Sequence, residues 1–142
     1  MADSKTVLVT GAGGGIGRGV LFAEEVDVHQ IADAVGTPAY VYSKATFVDH
    51  LNKLQQAYKD LDTTICYSVK ACGNVNILRV MAEHGSGFDI VSGGELFRAI
   101  KAGADPSKIV YAGVGKTDRE IIDALNAGIG YFNIESEQEL EN

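Results

Sequence analysis

Positive charge is scarce in this chain: 12 Lys and Arg stand against 19 Asp and Glu, giving a net charge of −7 and a pI near 4.8. That balance argues against nucleic acid and anionic membrane surfaces as partners, since both are bound through clustered cations. Long hydrophobic runs are also missing. None approaches the roughly 18 residues of a membrane-spanning helix, and the N-terminus has no signal-peptide core. The two cysteines, Cys66 and Cys72, make neither a CxxC pair nor a disulfide framework, so a reduced, cytoplasmic setting is expected. His29, His50 and His84 each stand alone in a helical stretch, without the spacing of a metal site. What remains is a chain of 142 residues, 46% hydrophobic and 22% charged, ordinary for one soluble domain with a real core.

A regular pattern runs through most of it. Asp27 with Gln30 resembles a capping box, after which Val28, Ile31, Ala32 and Val35 share one helical face until Gly36 and Pro38 stop the helix. "AYVYS" (39–43) reads as a strand. Residues 46–58 read as an amphipathic helix with Phe47, Leu51, Leu54 and Tyr58 in a stripe. Strand-like runs then begin at Ile65, Phe88, Ile109 and Tyr131, at intervals of 23, 21 and 22 residues. Between them lie helical stretches at 75–84, 95–102 and 118–127, whose apolar positions include Leu96, Phe97, Ile100, Ile121, Ile122 and Leu125. Gly85, Gly103 and Gly128 serve as stops, and Thr117 with Glu120 makes a capping box.

A strand and a helix repeated at this interval mean parallel β/α units, because parallel strands need a crossover of that length. The fold class is therefore α/β. Four units predict about half of a TIM-type barrel, since a complete one has eight in about 250 residues. Ser136 and Glu139 open a further helix that stops at Asn142, which predicts a truncated domain.

The alternation in "ICYSVK" puts Cys66, Ser68 and Lys70 on one face, small residues leading to an amine at the strand's C-terminal end. Barrels place their chemistry at that end. A buried lysine there loses basicity and attacks carbonyls, whereas a plain strand-end lysine extends its amine to water.

Residues 20–141 resemble the N-terminal part of the diaminopimelate decarboxylases, pyridoxal-phosphate enzymes of the alanine-racemase-like barrel class. The stretches that carry the resemblance are "GTPAYVYS", "ICYSVKA", "GSGFDIVSGGEL", "AGADPSKIVYAGVGKTDREI" and "FNIESEQEL", in the family's order and spacing. The resemblance implies that Lys70 is the lysine holding pyridoxal phosphate covalently and that Asp89 lies near the cofactor, although an acid capping a barrel loop is an equal reading of Asp89. It implies an amino-acid substrate, diaminopimelate, converted to lysine and carbon dioxide. It also places the phosphate loop, the ring-stacking histidine and the substrate pocket in sequence that these residues do not include, so the fragment alone is expected to be inactive. One departure is "KACGN", where the family commonly has Asn-Ser-Asn after Lys-Ala. Cys72 and Gly73 predict a softer loop.

Residues 1–19 are of another kind. "KTVLVTGAGGGIGRG" (5–19) resembles the first strand and glycine loop of a short-chain dehydrogenase, whose glycines admit a pyrophosphate to a helix N-terminus. The acid expected about 20 positions on is missing, because the next strand ends in Ser43-Lys44. The domain reading is thus a dehydrogenase-like segment at 1–19 joined to a truncated decarboxylase barrel at 20–142. An oxidoreductase fragment and a non-enzymatic half-barrel chimera stand as alternatives. "GVGKT" (113–117) imitates a P-loop, but the pattern needs glycine at position 110, which is Val110. "YVYSK" (40–44) imitates the dehydrogenase Tyr-x-x-x-Lys pair, which belongs on a helix. Open edges on a half barrel predict a homodimer or aggregate, with the strand Thr6–Thr10 available to cover one edge.

Overall fold

The computed structural model of the chain describes residues 5–9 and 21–141, with side chains from residue 21 onward. The glycine loop at 10–19 and the expected seam near Arg18-Gly19-Val20 lie outside the described residues. The chain divides into two compact units, Met1–His50 and Leu51–Asn142.

In the first unit, β1 (Lys5–Val9) pairs in parallel with β4 (Ala39–Ser43), from Lys5 opposite Ala39 to Val9 opposite Ser43. This corrects the expectation that the N-terminal strand is free to cover an edge of the barrel sheet: its partner is the 39–43 strand. A short antiparallel pair, β2 (Phe22–Ala23) and β3 (Val26–Asp27), leads into α1 (Val28–Val35). Asp27 caps α1 by accepting from the His29 amide at 2.8 Å, and among the described residues no bond with Gln30 completes the expected box. Ile31 is buried and Val28, Ala32 and Val35 are half-buried, the face the periodicity predicts. Thr37–Pro38 is a cis peptide.

Helix α2 (Lys44–Ala57) starts two residues earlier than the sequence pattern suggests. The Glu24 carboxylate accepts from Ser43 Oγ at 2.6 Å and from the Ala45 amide at 2.9 Å, closing the first turn from a distant position. Such a cap is not local, and residue spacing does not reveal it. Of the expected stripe only Leu51 is buried, while Leu54 and Tyr58 stay exposed.

The second unit is a four-stranded parallel sheet in the order β5 (Cys66–Ser68), β6 (Gly87–Ile90), β7 (Ile109–Tyr111), β8 (Tyr131–Phe132). The crossovers carry α3 (Val75–Glu83), α4 (Gly93–Ala102) and α5 (Asp118–Ala127), and α6 (Glu137–Glu141) follows β8. The α/β class and the sequential parallel units are as the sequence predicts, with β5 beginning one residue later and β6 one residue earlier than expected. The core lies between one face of the sheet and the helices. Phe88, Ile90, Ile109 and Tyr111 are at most 1% exposed, and Ile77 and Leu78 of α3 are equally buried. Each such side chain contributes about 1.5–3 kcal/mol of burial.

The helix faces differ from expectation in one respect. Phe97, Ile100, Ile122 and Leu125 are exposed, and Ala99, Ala102 and Ala124 are buried in their place. Helix α4 touches both α3 and α5, and alanines let the three approach closely where larger side chains would hold them apart. At the lower rim of the sheet Gly87 has a similar reason: a Cβ there would run into the Lys108 carbonyl oxygen.

Candidate functional site

Two faces of the sheet can be told apart by register. Tyr67 pairs with Phe88 and Phe88 with Ile109, and these point toward the helices, with the Tyr67 and Phe88 rings edge to face at 6.5 Å. Ser68 pairs with Asp89, and Asp89 with Val110, on the opposite face. The second face therefore brings Cys66, Ser68 and Asp89 together. Burial pushes the Cys66 thiol up, and the negative charge of Asp89 adds to the shift, which keeps the thiol protonated.

Lys70 follows two residues after Ser68, but not in the strand. The chain turns into a 3-10 helix at Val69–Ala71, with Val69 buried at 1% and Lys70 exposed. Val69 is buried, as the alternation expects, but the strand ends at Ser68 and Lys70 lies on the turn. The amine is therefore exposed, not buried at the strand's end. Beside it, the Ser68 hydroxyl is buried and has no hydrogen-bond partner. Such an orphan is costly to leave unpaired, and groups of this kind concentrate where something binds. Asp89 is half-buried and makes no hydrogen bond among the described residues, so it caps no loop.

The loops after β6 and β7 are held by other acids. Glu95 accepts from the Val91 amide at 2.7 Å, and Ser92 Oγ caps α4 through the Glu95 amide at 3.3 Å. Glu120 accepts from Gly93 N at 2.9 Å, from Thr117 N at 3.1 Å and from Thr117 Oγ1 at 2.8 Å. These donors, Gly93 first, hold the Glu120 carboxyl at about 2. Tyr111 beneath is pushed up to about 12, by burial and then by the Glu120 charge. The expected Thr117–Glu120 box is thus present, and it also ties two neighbouring loops together.

Lys116 is the residue that sequence reasoning missed. Its side chain is 1% exposed, and its Nζ donates to the Gly113 carbonyl at 2.9 Å, the Asn133 carbonyl at 2.7 Å and Glu139 Oε1 at 2.9 Å. All three ammonium protons are committed, so the lysine of "GVGKT" has none left for a phosphate. The signal was the second half of another motif. Glu139 donates its amide to Ser136 Oγ at 3.2 Å, as a capping box requires, but its carboxylate turns to Lys116 and to the Glu135 amide at 2.7 Å.

A cleft of about 270 Å³ lies at the other end of the sheet, bordered by Tyr58, Lys59, Thr63, Thr64 and Lys108. It sits by the residues that precede β5 and β7, opposite the Lys70 end. Among the described residues no three His, Cys, Asp or Glu side chains come together as a metal site, and no helix is long and apolar enough to cross a membrane.

Comparison with known proteins agrees with this geometry. The family described as pyridoxal-dependent decarboxylase, pyridoxal binding domain, matches residues 44–142. A diaminopimelate decarboxylase of Vibrio cholerae is 50% identical over 123 residues, 87% of this chain and 30% of that protein. One from Neisseria meningitidis serogroup A is 48% identical over 121 residues, 85% of this chain and 30% of the relative. Among solved structures, the diaminopimelate decarboxylase of M. jannaschii in complex with L-lysine superposes with a TM-score of 0.86 at 36% identity, covering 91% of this chain and 31% of that one. The chain thus spans about 30% of the length of the relatives it matches.

Proposed function

The chain belongs to the pyridoxal-dependent decarboxylases, and from that premise we propose that it is the lysine-bearing part of a diaminopimelate decarboxylase barrel, with Lys70 as the residue that holds pyridoxal phosphate. The observation that carries the reading is the family match over residues 44–142, which includes Lys70, and it is supported by Ser68 and Asp89 standing side by side in the sheet two residues before that exposed amine. These residues fit the cofactor. An aldehyde needs a primary amine free of other partners, and Ser68 Oγ and Asp89 offer an acceptor and a charge beside it.

When bound, pyridoxal phosphate supplies an electron sink for the carbon next to the substrate amine. The residues of this chain do the rest of what is assigned here. Lys70 would hold the cofactor's aldehyde through its Nζ, and as a free amine it would be a base able to carry a proton beside the substrate. Asp89 would help orient the ligand from its place beside Ser68. The pinned loops after β6 and β7 keep that face from shifting as the amine changes partners.

The substrate is meso-diaminopimelate and the products are L-lysine and carbon dioxide, a reading supported by the relatives' names and by the lysine in the M. jannaschii complex. By itself the 142-residue chain does not turn this substrate over, because one lysine and one acid do not make the joint positioning that catalysis needs. The setting is cytoplasmic. Residues 1–19 are a segment of separate origin from 20–142. The terminal strands β5 and β8 of the sheet pair between copies, giving a homodimer or larger assembly, and light scattering from a compact 15.0 kDa particle at micromolar concentration would refute that.

An absorbance titration tests the central assignment. Pyridoxal phosphate added to the protein should give a saturable new band that Lys70→Ala abolishes. A band of equal size in the variant would overturn it.

A further inference from the structure

The loop that follows Lys70 contains Cys72 and Gly73, and Gly73 has no side chain with which to fix it. Helix α4 supplies the restraint. Arg98 Nη1 donates to the Gly73 carbonyl at 3.1 Å, and Arg98 Cδ lies 3.6 Å from where a Cβ on Gly73 would stand. The 3-10 turn at Val69–Ala71 packs against both α4 and β6, with Val69 buried beneath it. The helix is itself fixed in place. Its first turn is closed by Ser92 Oγ on the Glu95 amide, and its first residue, Gly93, is tied to Glu120 of the next unit at 2.9 Å. Restraint therefore passes from the α5 cap through α4 to the loop behind Lys70.

We propose that Arg98 is a positioning residue for Lys70: by holding the Gly73 carbonyl it sets the direction in which the 69–71 turn presents the amine. The proposal rests on the reading of Lys70 as the cofactor lysine. It explains how a chain with Cys72-Gly73 after its lysine keeps that lysine aimed. The restraint comes from outside the loop.

The test measures the rate at which Lys70 is labelled after borohydride reduction, located by peptide mass, with pyridoxal phosphate and separately with unphosphorylated pyridoxal. Arg98→Ala should slow labelling about fivefold with both ligands, the effect of losing one hydrogen bond of ordinary net strength. Arg98→Lys should recover at least half of that loss, since an ammonium still donates to the carbonyl. Lys101→Ala removes the same charge from the same helix and should leave labelling unchanged. Labelling that survives Arg98→Ala intact overturns the proposal. So does a loss confined to the phosphorylated ligand, which would make Arg98 a phosphate contact, or an equal loss in Lys101→Ala, which would make it a charge effect. Wild-type protein that labels Lys70 no faster than other exposed lysines removes the reading of Lys70, and the proposal with it. Selective labelling that is indifferent to Arg98 removes the positioning role alone.

Discussion

Lys70 and Lys116 both lie just beyond the C-terminal end of a strand in the same sheet, yet they share almost nothing else. Lys116 is 1% exposed and spends all three protons on two carbonyls and a carboxylate. Lys70 is exposed, on a turn whose neighbouring loop is held by one bond from Arg98. The contrast shows how a single fold assigns opposite work to one residue type. An ammonium saturated by fixed acceptors has no donor left for a ligand, and it stabilises the loops it joins. A lysine without partners among the described residues adds little to stability, which suits the role proposed for Lys70. The same division holds for the acids: Glu120 and Glu95 close backbone amides, and Asp89, beside Ser68, closes none among the described residues.

The contrast is broken most directly by removing each lysine in turn. Lys116→Met should lower stability by about 3 kcal/mol, because Glu139 and two carbonyls lose their donor in a closed site. Lys70→Met should change it by no more than about 0.5 kcal/mol. Urea denaturation followed by circular dichroism compares them, and equal shifts would dissolve the distinction.

A smaller effect is expected at the acid that ties the two loops. Glu120→Ala should cost about 1.5 kcal/mol, more than the roughly 1 kcal/mol of Thr117→Ala, since only the first also frees the Gly93 amide. Amide hydrogen exchange at Gly93 sharpens this: exchange should quicken in Glu120→Ala and stay slow in Thr117→Ala.

Acid should reveal the same bond. The folded state holds Glu120 at about 2, below its ordinary value of 4.5, so folding favours the ionised form. Its contribution is complete above pH 4.5 and is lost as pH falls from there toward 2. Asp27, Asp105 and Glu139 are lowered as well, so the wild-type acid limb is composite. The difference between wild type and Glu120→Gln isolates one group. It should shrink as pH falls through that window, and a constant difference would contradict the assignment.

Much of this architecture was legible in the residues, for identifiable reasons. Strand and helix alternate with a period that only parallel units satisfy, and the stops at Gly103 and Gly128 adopt the left-handed backbone that glycine favours. The face shared by Ser68 and Asp89 follows from the strand period and the register. What was not legible depends on distance in sequence. Glu24 capping α2 spans about twenty residues, as does the link from Lys116 to Glu139, and neither spacing belongs to a local motif. The exposed Phe97 and Leu125 mislead in the opposite sense: apolar periodicity marks a helix face, and close helix packing then chooses its alanines. The turn at Val69–Ala71 ended the alternation that would have carried Lys70 inward.

The most direct measurement is a map of where pyridoxal phosphate becomes fixed in the folded chain on borohydride reduction, with the label at Lys70 and Lys116 compared in one digest. The account predicts that Lys70 is labelled well ahead of every other lysine, and that Lys116 stays unlabelled until the protein is unfolded. Label spread evenly over the exposed lysines, or found on Lys116 in the folded chain, would contradict it.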